Sequence, residues 1–373
     1  MAPPRFHALA IATLHRETAD STVLGFAVPA ALRAAYMFTP GQFLTLRIIT
    51  ESGELRRPYS ICSDPAELDT DGVLRVGIRH LPGGRFSGLV ASRLAAGGRL
   101  DVMTPDGRFG IAAAPGSHRT LLFCAAGSGI TPILSILRAT LTREAGRCVL
   151  FYANRARATI MFRAEIEALK DRYLDRLAVV HLLSRERQET GALAGRLDPP
   201  TLARLLAGAA PLGVDRAFLC GPAAMTDALA PVLAASGLAE AAIHRERFVA
   251  AEAAPKDTAE DTAEDTALGP APSAEAAQAA SLARAAVIFA GLRSEFPVGP
   301  DETIIAAGQR AGLDLPYACR GGMCCTCRAR LTEGAVTMAV NYGLEPWEVA
   351  AGYVLTCQSR PRTPFVALDY DQV

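Results

Sequence analysis

The sequence predicts three joined domains: an antiparallel β-barrel or sandwich, a doubly wound α/β domain on a parallel sheet, and a small α+β domain. Three observations lead there. Residues 6–111 carry short alternating apolar runs broken by turn residues, as antiparallel strands do. From Arg119 onward apolar strand runs alternate with helical ones, as in a parallel sheet covered on both faces. A compositional break at 251–281 then sets off a last stretch in which Cys319, Cys324, Cys325, Cys327 and Cys357 crowd together.

In the first domain, 1–113, strands are expected at 22–28, 42–48, 58–62, 74–80 and 99–103. In the second, 114–250, a strand at 120–125 precedes helix 132–141, strand 148–153, helix 162–169, strand 177–183, helix 202–206 and strand 216–220. Segment 251–281 has a tandem DTAE repeat, three prolines, no aromatic residue and threonine as its only β-branched residue. It cannot bury enough apolar surface to offset its ordering entropy and reads as a flexible linker, with some helix allowed at 273–286. The third domain, 282–373, opens on a hairpin at 286–291 and 295–298, followed by a helix at 303–311 and the cysteine loop.

The whole chain sets bounds. With 373 residues it has room for two or three cores. Lys plus Arg and Asp plus Glu are 38 each, so no basic surface argues for nucleic acid or a membrane. Residues 1–20 lack the apolar core of a secretory signal, and no apolar run reaches membrane-spanning length. A cytoplasmic protein is expected. Cys62, Cys124, Cys148 and Cys220 stand singly, as small buried hydrophobes do. His7, His15, His118 and His181 show no ligand spacing.

The clustered cysteines have a different meaning. Cys319, Cys324 and Cys327 follow C-x4-C-x2-C, with Cys357 further on, the spacing of plant-type [2Fe–2S] ligands. Gly321 and Gly322 let the backbone wrap closely round a cofactor. A structural zinc site in a non-redox module is the alternative, but zinc favours two separated C-x2-4-C pairs and only one is present. Cys325 is surplus to the spacing and reads as a non-ligand.

The stretch LPYACRGGMCCTCR at 315–328 resembles the cluster loop of plant-type ferredoxins, and the stretch on to Asp371 is similar to the ferredoxin domain fused to certain oxygenase reductases. That resemblance implies a β-grasp fold for 282–373. Pro40-Gly41-Gln42-Phe43 and Arg57-Pro58-Tyr59-Ser60 resemble the flavin barrel of the ferredoxin–NADP reductase superfamily. It implies that Arg57 pairs with a pyrophosphate, Tyr59 stacks on the isoalloxazine and Ser60 hydrogen-bonds the ring nitrogen that takes up hydride. Ile78-Arg79-His80 and Gly83-Gly84-Arg85-Phe86-Ser87 match the family's diphosphate-contact segments and favour FAD over FMN.

Gly127-Ser128-Gly129-Ile130-Thr131-Pro132 follows an apolar strand and opens a helix, where backbone N–H groups favour a diphosphate. Pro132 replaces the last glycine of G-x-G-x-x-G. In the same superfamily the threonine, here Thr131, meets the nicotinamide, and Cys220-Gly221-Pro222 places its cysteine beside the hydride-donating carbon. Glu246 and Phe248 lie in a segment that approaches the flavin. Ser60, Cys220 and Glu246 are thus the candidate catalytic positions. Ser184-Arg185, with Arg155, implies a 2′-phosphate site and hence NADPH over NADH, a solvated basic turn being the other reading.

The order flavin, nucleotide, ferredoxin resembles reductase components of multicomponent oxygenases. Electrons are expected to pass from NADPH to FAD to the cluster to an oxygenase partner. The segment 338–355 looks most similar to the reductases of ring-1,2-phenylacetyl-CoA epoxidases, which implies a di-iron acceptor. Reductases of ring- or steroid-hydroxylating oxygenases share the layout. Within that segment Tyr342, Leu344 and Val354 are expected in the core, and Asn341, Glu345 and Glu348 outside.

Overall fold

A computed structural model describes residues 4–51, 53–112, 114–186, 193–209, 213–248, 266–268 and 282–372. The described residues of 6–254 form one compact unit, and those of 255–373, with Pro4 and Arg5, form another. Among the described residues no helix is long and apolar enough to cross a membrane.

The first unit begins with β1 (Phe6–Thr18), β2 (Ser21–Ala27), β3 (Phe43–Thr50), β4 (Gly53–Ser60), β5 (Val73–Arg79) and β6 (Arg99–Met103). They form an antiparallel sheet in the order β4-β3-β6-β1-β2-β5. The outer strands β4 and β5 then meet: an Ile61–Val76 bridge and a Cys62 N–H to Arg75 carbonyl bond of 2.9 Å close the sheet on itself. Closure removes the sheet edges, and Leu24, Phe26, Leu44, Leu46 and Val102 fill the interior without exposed surface. Short helices α1 (Arg33–Tyr36), α2 (Pro65–Thr70) and α3 (Arg85–Arg93) occupy its connections. Asp64 starts α2 with a capping box, accepting from Ala66 N–H at 2.9 Å while Glu67 accepts from Asp64 N–H at 3.1 Å.

The parallel sheet of this unit runs β11-β10-β7-β8-β9, with β7 (Thr120–Ala126), β8 (Arg147–Asn154), β9 (Leu177–Leu183), β10 (Arg216–Pro222) and β11 (Ile243–Phe248). Strand order reverses between β7 and β10, and that switch point is where open α/β sheets bind ligands. Helices α4 (Ile130–Arg143), α5 (Arg163–Arg172), α6 (Pro199–Ala209) and α7 (Ala223–Ala235) cover the sheet. Eleven of the fourteen residues of α4 are buried, because it lies between the sheet and the barrel. Cys62, Cys124, Cys148 and Cys220 are all buried, as their isolated positions suggested.

Charge joins barrel to sheet. Arg75 of β5 bonds Glu67 of α2 and Glu165 of α5, each at 3.0 Å, and Arg138 of α4 pairs with the same two carboxylates. Ser135 Oγ donates to the Ser63 carbonyl at 2.8 Å.

The second unit contains β12 (Thr266–Leu268), β13 (Ala283–Phe289), β14 (Leu292–Val298), α8 (Ile304–Arg310), β15 (Arg328–Glu333), β16 (Val336–Met338), α9 (Pro346–Ala350), β17 (Tyr353–Leu355), β18 (Ser359–Pro361) and β19 (Phe365–Asp369). A five-stranded mixed sheet, β14-β13-β19-β15-β17, packs against α8: a β-grasp. Strand β12 pairs antiparallel with β16, and β16 with β18. Most of the expected linker lies outside the described residues. The part of the allowed helix at 283–286 is strand instead, because Ala285 and Ala286 are buried in the β13 pairings.

Two side-chain expectations reverse in this unit. Tyr342 is 41% exposed rather than core, while Glu348 has no exposed surface. Asn341 is turned into its own loop, its side chain bonding both the N–H and the carbonyl of Leu344. Leu344 and Val354 are buried as expected.

Candidate functional site

Strands β4, β10 and β11 end at the same place. Ser60, the last residue of β4, is 5% exposed, and its hydroxyl donates to Glu246 Oε2 at 3.3 Å. Cys220 of β10 is fully buried and directs its thiol to the same oxygen at 3.5 Å. Parallel pairing of β10 with β11 sets Cys220 directly against Glu246. Burial pushes the Glu246 carboxyl up to about 7 against the pull of those two hydrogen bonds. Burial and the adjacent carboxylate push the Cys220 thiol well above its ordinary value, so it stays neutral. All three candidate catalytic residues meet here, with a titratable carboxyl between them.

The remaining barrel residues flank this point. Tyr59 packs on Phe86 with ring centroids 5.6 Å apart. Gly84 is the N-cap of α3 and offers no side-chain cap, and the positive end of a helix favours an anion. Ser87 accepts from Leu81 N–H at 3.2 Å and holds that turn. Arg57 and Arg85 are exposed. Ile78 is wholly inside the barrel, so only its main chain can face a ligand. His80 Nε2 lies 2.9 Å from the Thr22 hydroxyl, and burial lowers its pKa. Arg79 is clasped by Asp20 at 2.7 and 3.1 Å and reaches the nucleotide loop, where a Cβ on Gly127 would come within 2.6 Å of it.

Gly127, Ser128 and Gly129 make the turn between β7 and α4. Gly127 has φ +54°, and Tyr152 bonds its carbonyl at 3.0 Å. A Cβ on Gly129 would lie 2.2 Å from the Cys220 carbonyl oxygen, so glycine is what lets the loop close onto β10. Thr131 spends its hydroxyl on the Ser128 carbonyl at 2.9 Å. Gly221, Pro222 and Phe248 end the adjoining strands, with Pro222 paired to Phe248. Arg155, Ser184 and Arg185 are exposed, and main-chain bonds join their turns: Ser184 N–H to Asn154 at 3.0 Å and Arg185 N–H to Arg155 at 2.8 Å. Asp20 and the junction charges Glu67, Arg75, Arg138 and Glu165 escaped sequence reasoning, since their partners are up to 90 positions away.

In the second unit the four spaced cysteines fall into two thiol pairs, Cys319 with Cys324 and Cys327 with Cys357. Two pairs fit a cluster with two thiolates on each iron. Gly321 and Cys324 N–H groups point at Cys319 Sγ from 3.3 and 3.5 Å, and Gln358 Nε2 lies 3.6 Å from Cys357 Sγ. Gly322, at φ +72°, sits where a Cβ would press on the Val340 carbonyl at 2.9 Å. Cys325, at φ +57°, turns its sulfur toward Gly343.

Comparison with known proteins agrees with this geometry. Residues 9–111 match the oxidoreductase FAD-binding domain, 123–230 the oxidoreductase NAD-binding domain and 287–362 the 2Fe-2S iron-sulfur cluster binding domain. The chain is 38% identical to a component of the 1,2-phenylacetyl-CoA epoxidase of Escherichia coli, across 98% of each chain. It is 34% identical to the ferredoxin reductase component of 3-ketosteroid-9-alpha-monooxygenase of Rhodococcus rhodochrous, across 97% of this chain and 96% of that one. The structure of phthalate dioxygenase reductase shares the fold, with TM-score 0.57 at 20% identity over 98% of each chain. The chain belongs to the family of FAD- and [2Fe–2S]-containing reductase components of oxygenase systems.

Proposed function

We propose that this chain carries electrons from NADPH to the di-iron oxygenase component of a phenylacetyl-CoA epoxidase in the cytoplasm, as a step in phenylacetate degradation. The observation that carries the electron path is the meeting of Ser60, Cys220 and Glu246 at the ends of β4, β10 and β11, next to the switch point of the parallel sheet. The full-length identity to the epoxidase component supports the acceptor.

FAD held here would supply the exchange between a two-electron hydride and the single electrons a [2Fe–2S] cluster carries. Everything else falls to the chain. Tyr59 and Ser60 would seat the flavin ring, and Arg57, Arg85 and the N-terminus of α3 would receive its diphosphate. Gly127–Gly129 would receive the nucleotide diphosphate, with the Asp20-paired Arg79 bordering the loop from the barrel. Cys220, held neutral, would pack against the nicotinamide without adding to it. Glu246 titrates near neutrality and accepts the hydrogen bond that the Ser60 hydroxyl donates. Ser184, Arg185 and Arg155 bind the 2′-phosphate through a hydroxyl and two cations. Cys319, Cys324, Cys327 and Cys357 hold the cluster.

The test is reconstitution with purified epoxidase oxygenase component, phenylacetyl-CoA and oxygen; NADPH-dependent epoxide formation is expected. The 34% identity to a steroid monooxygenase reductase supports a second reading. Brisk dye reduction without epoxide, together with turnover of a ring- or steroid-hydroxylating oxygenase, would establish it instead.

A further inference from the structure

Two arginines each directly follow a cluster cysteine, Arg320 after Cys319 and Arg328 after Cys327. Each guanidinium lies over a tyrosine ring, Arg320 at 4.5 Å from the centre of Tyr317 and Arg328 at 4.4 Å from that of Tyr353. Their charges meet different fates. Arg320 bonds the neutral amide of Gln309. Arg328 pairs with the carboxylate of Glu348, whose side chain has no exposed surface, while that of Arg328 is 12% exposed.

The pair is anchored at the residue that directly follows the cluster cysteine Cys327. Glu348 uses its other oxygen to accept Glu345 N–H at 3.0 Å, closing the capping box of α9. Arg328 N–H bonds the Cys325 carbonyl at 3.0 Å, and the residue pairs with Leu355 across β15 and β17. Thr356 donates its N–H and hydroxyl to the Cys327 carbonyl at 3.2 and 2.9 Å. Cys327 and Cys357 are 2% and 6% exposed, so little water screens a charge here.

A [2Fe–2S] cluster becomes one charge more negative on reduction, so an uncompensated cation at this place favours the reduced form. We propose that Glu348 sets the reduction potential of the cluster by cancelling the charge of Arg328, keeping the cluster reducing enough to pass its electron onward. This rests on the cluster and not on which oxygenase accepts the electron.

Spectroelectrochemical titration of the full holo-chain at about pH 8 tests it. Glu348→Gln keeps the volume and an acceptor for Glu345 N–H but removes the charge. Its cluster midpoint is expected to rise by roughly tenfold in the reduction equilibrium, about 59 mV for one electron, with the optical and paramagnetic signatures of the cluster retained. The double variant Glu348→Gln/Arg328→Gln restores neutrality and is expected to return close to the parent midpoint. An unchanged midpoint in Glu348→Gln with an intact cluster overturns the proposal, as does a double variant displaced as far as the single one. If Glu348→Gln does not retain its cluster, Arg328→Lys and Arg328→Gln decide. The lysine variant must match the parent and the glutamine variant must titrate lower; equal midpoints overturn the proposal.

Discussion

Replacing Gly129 by alanine tests the closeness of the nucleotide loop to the cysteine strand. The added Cβ would sit 2.2 Å from the Cys220 carbonyl oxygen, 2.6 Å from its carbon and 3.0 Å from the Gly221 nitrogen. All three are backbone atoms and none can rotate away. The neighbouring register, Ala125 opposite Cys220, leaves no room to slip. The loop must therefore open from β10 by about 1 Å, an overpacking that costs roughly 1–3 kcal/mol. For a unit of this size that lowers the melting temperature by about 2–4 °C per kcal/mol. A reactant displaced by about 1 Å loses roughly a hundredfold in rate. Stopped-flow mixing with NADPH under anaerobic conditions reads the rate as flavin bleaching, and melting followed on the flavin band reads the strain. Gly88→Ala is the control, because its Cβ meets nothing within 4 Å; it is expected to hold the parent rate. A Gly129→Ala protein with parental melting and parental flavin reduction would refute the argument that hydride transfer depends on this contact.

Glu246→Gln is expected to flatten the pH dependence of stability. A carboxyl raised from 4.5 to about 7 stabilises the fold fully below pH 4.5, and loses that contribution as pH rises through about 7. At about 1.4 kcal/mol per pH unit, and with the residue partly exposed, the loss is at most about 3 kcal/mol; urea midpoints of parent and variant across this range measure it. Serine at Cys319, Cys324, Cys327 or Cys357 is expected to abolish the cluster while flavin stays bound, since the two units have separate cores. Cys325→Ser is expected to keep the cluster, and absorbance with iron analysis reads both outcomes. Arg185→Ala is expected to lower kcat/KM for NADPH about 10- to 100-fold, the worth of one charged hydrogen bond, and to leave NADH unchanged. Equal values for the two nucleotides in the parent chain would remove the 2′-phosphate assignment.

Local patterns were readable and distant pairings were not. The strand at 177–183 and the strand at 99–103 lie where alternation put them, and the other expected strands of the first unit are found nearby. Strand β1 was invisible because only Leu9 and Ile11 of its thirteen residues carry buried apolar side chains; its other positions are small, polar or partly exposed. Helix α7 was missed as well, an alanine-rich stretch with Pro231 inside it. The site motifs were legible because each is a short local turn: Arg57–Ser60, Gly127–Gly129, Cys220–Pro222 and the cysteine loop. What completes them is non-local. Asp20 clasps Arg79 from 59 positions away, and Arg328 draws Glu348 into the interior from twenty. That ion pair is why Glu348, read as an outward charge, is buried. The ring of Tyr342 is left outside because its own segment is tied down by main-chain bonding to Gly322 at 2.9 Å.

The electron path itself is tested most directly by comparing the parent with Cys357→Ser in one anaerobic experiment with NADPH and the oxidised oxygenase component. Flavin is expected to be reduced at the same rate in both proteins, and the oxygenase only by the parent. Equal reduction of the oxygenase by the cluster-free variant would contradict it, because electrons would then leave from the flavin.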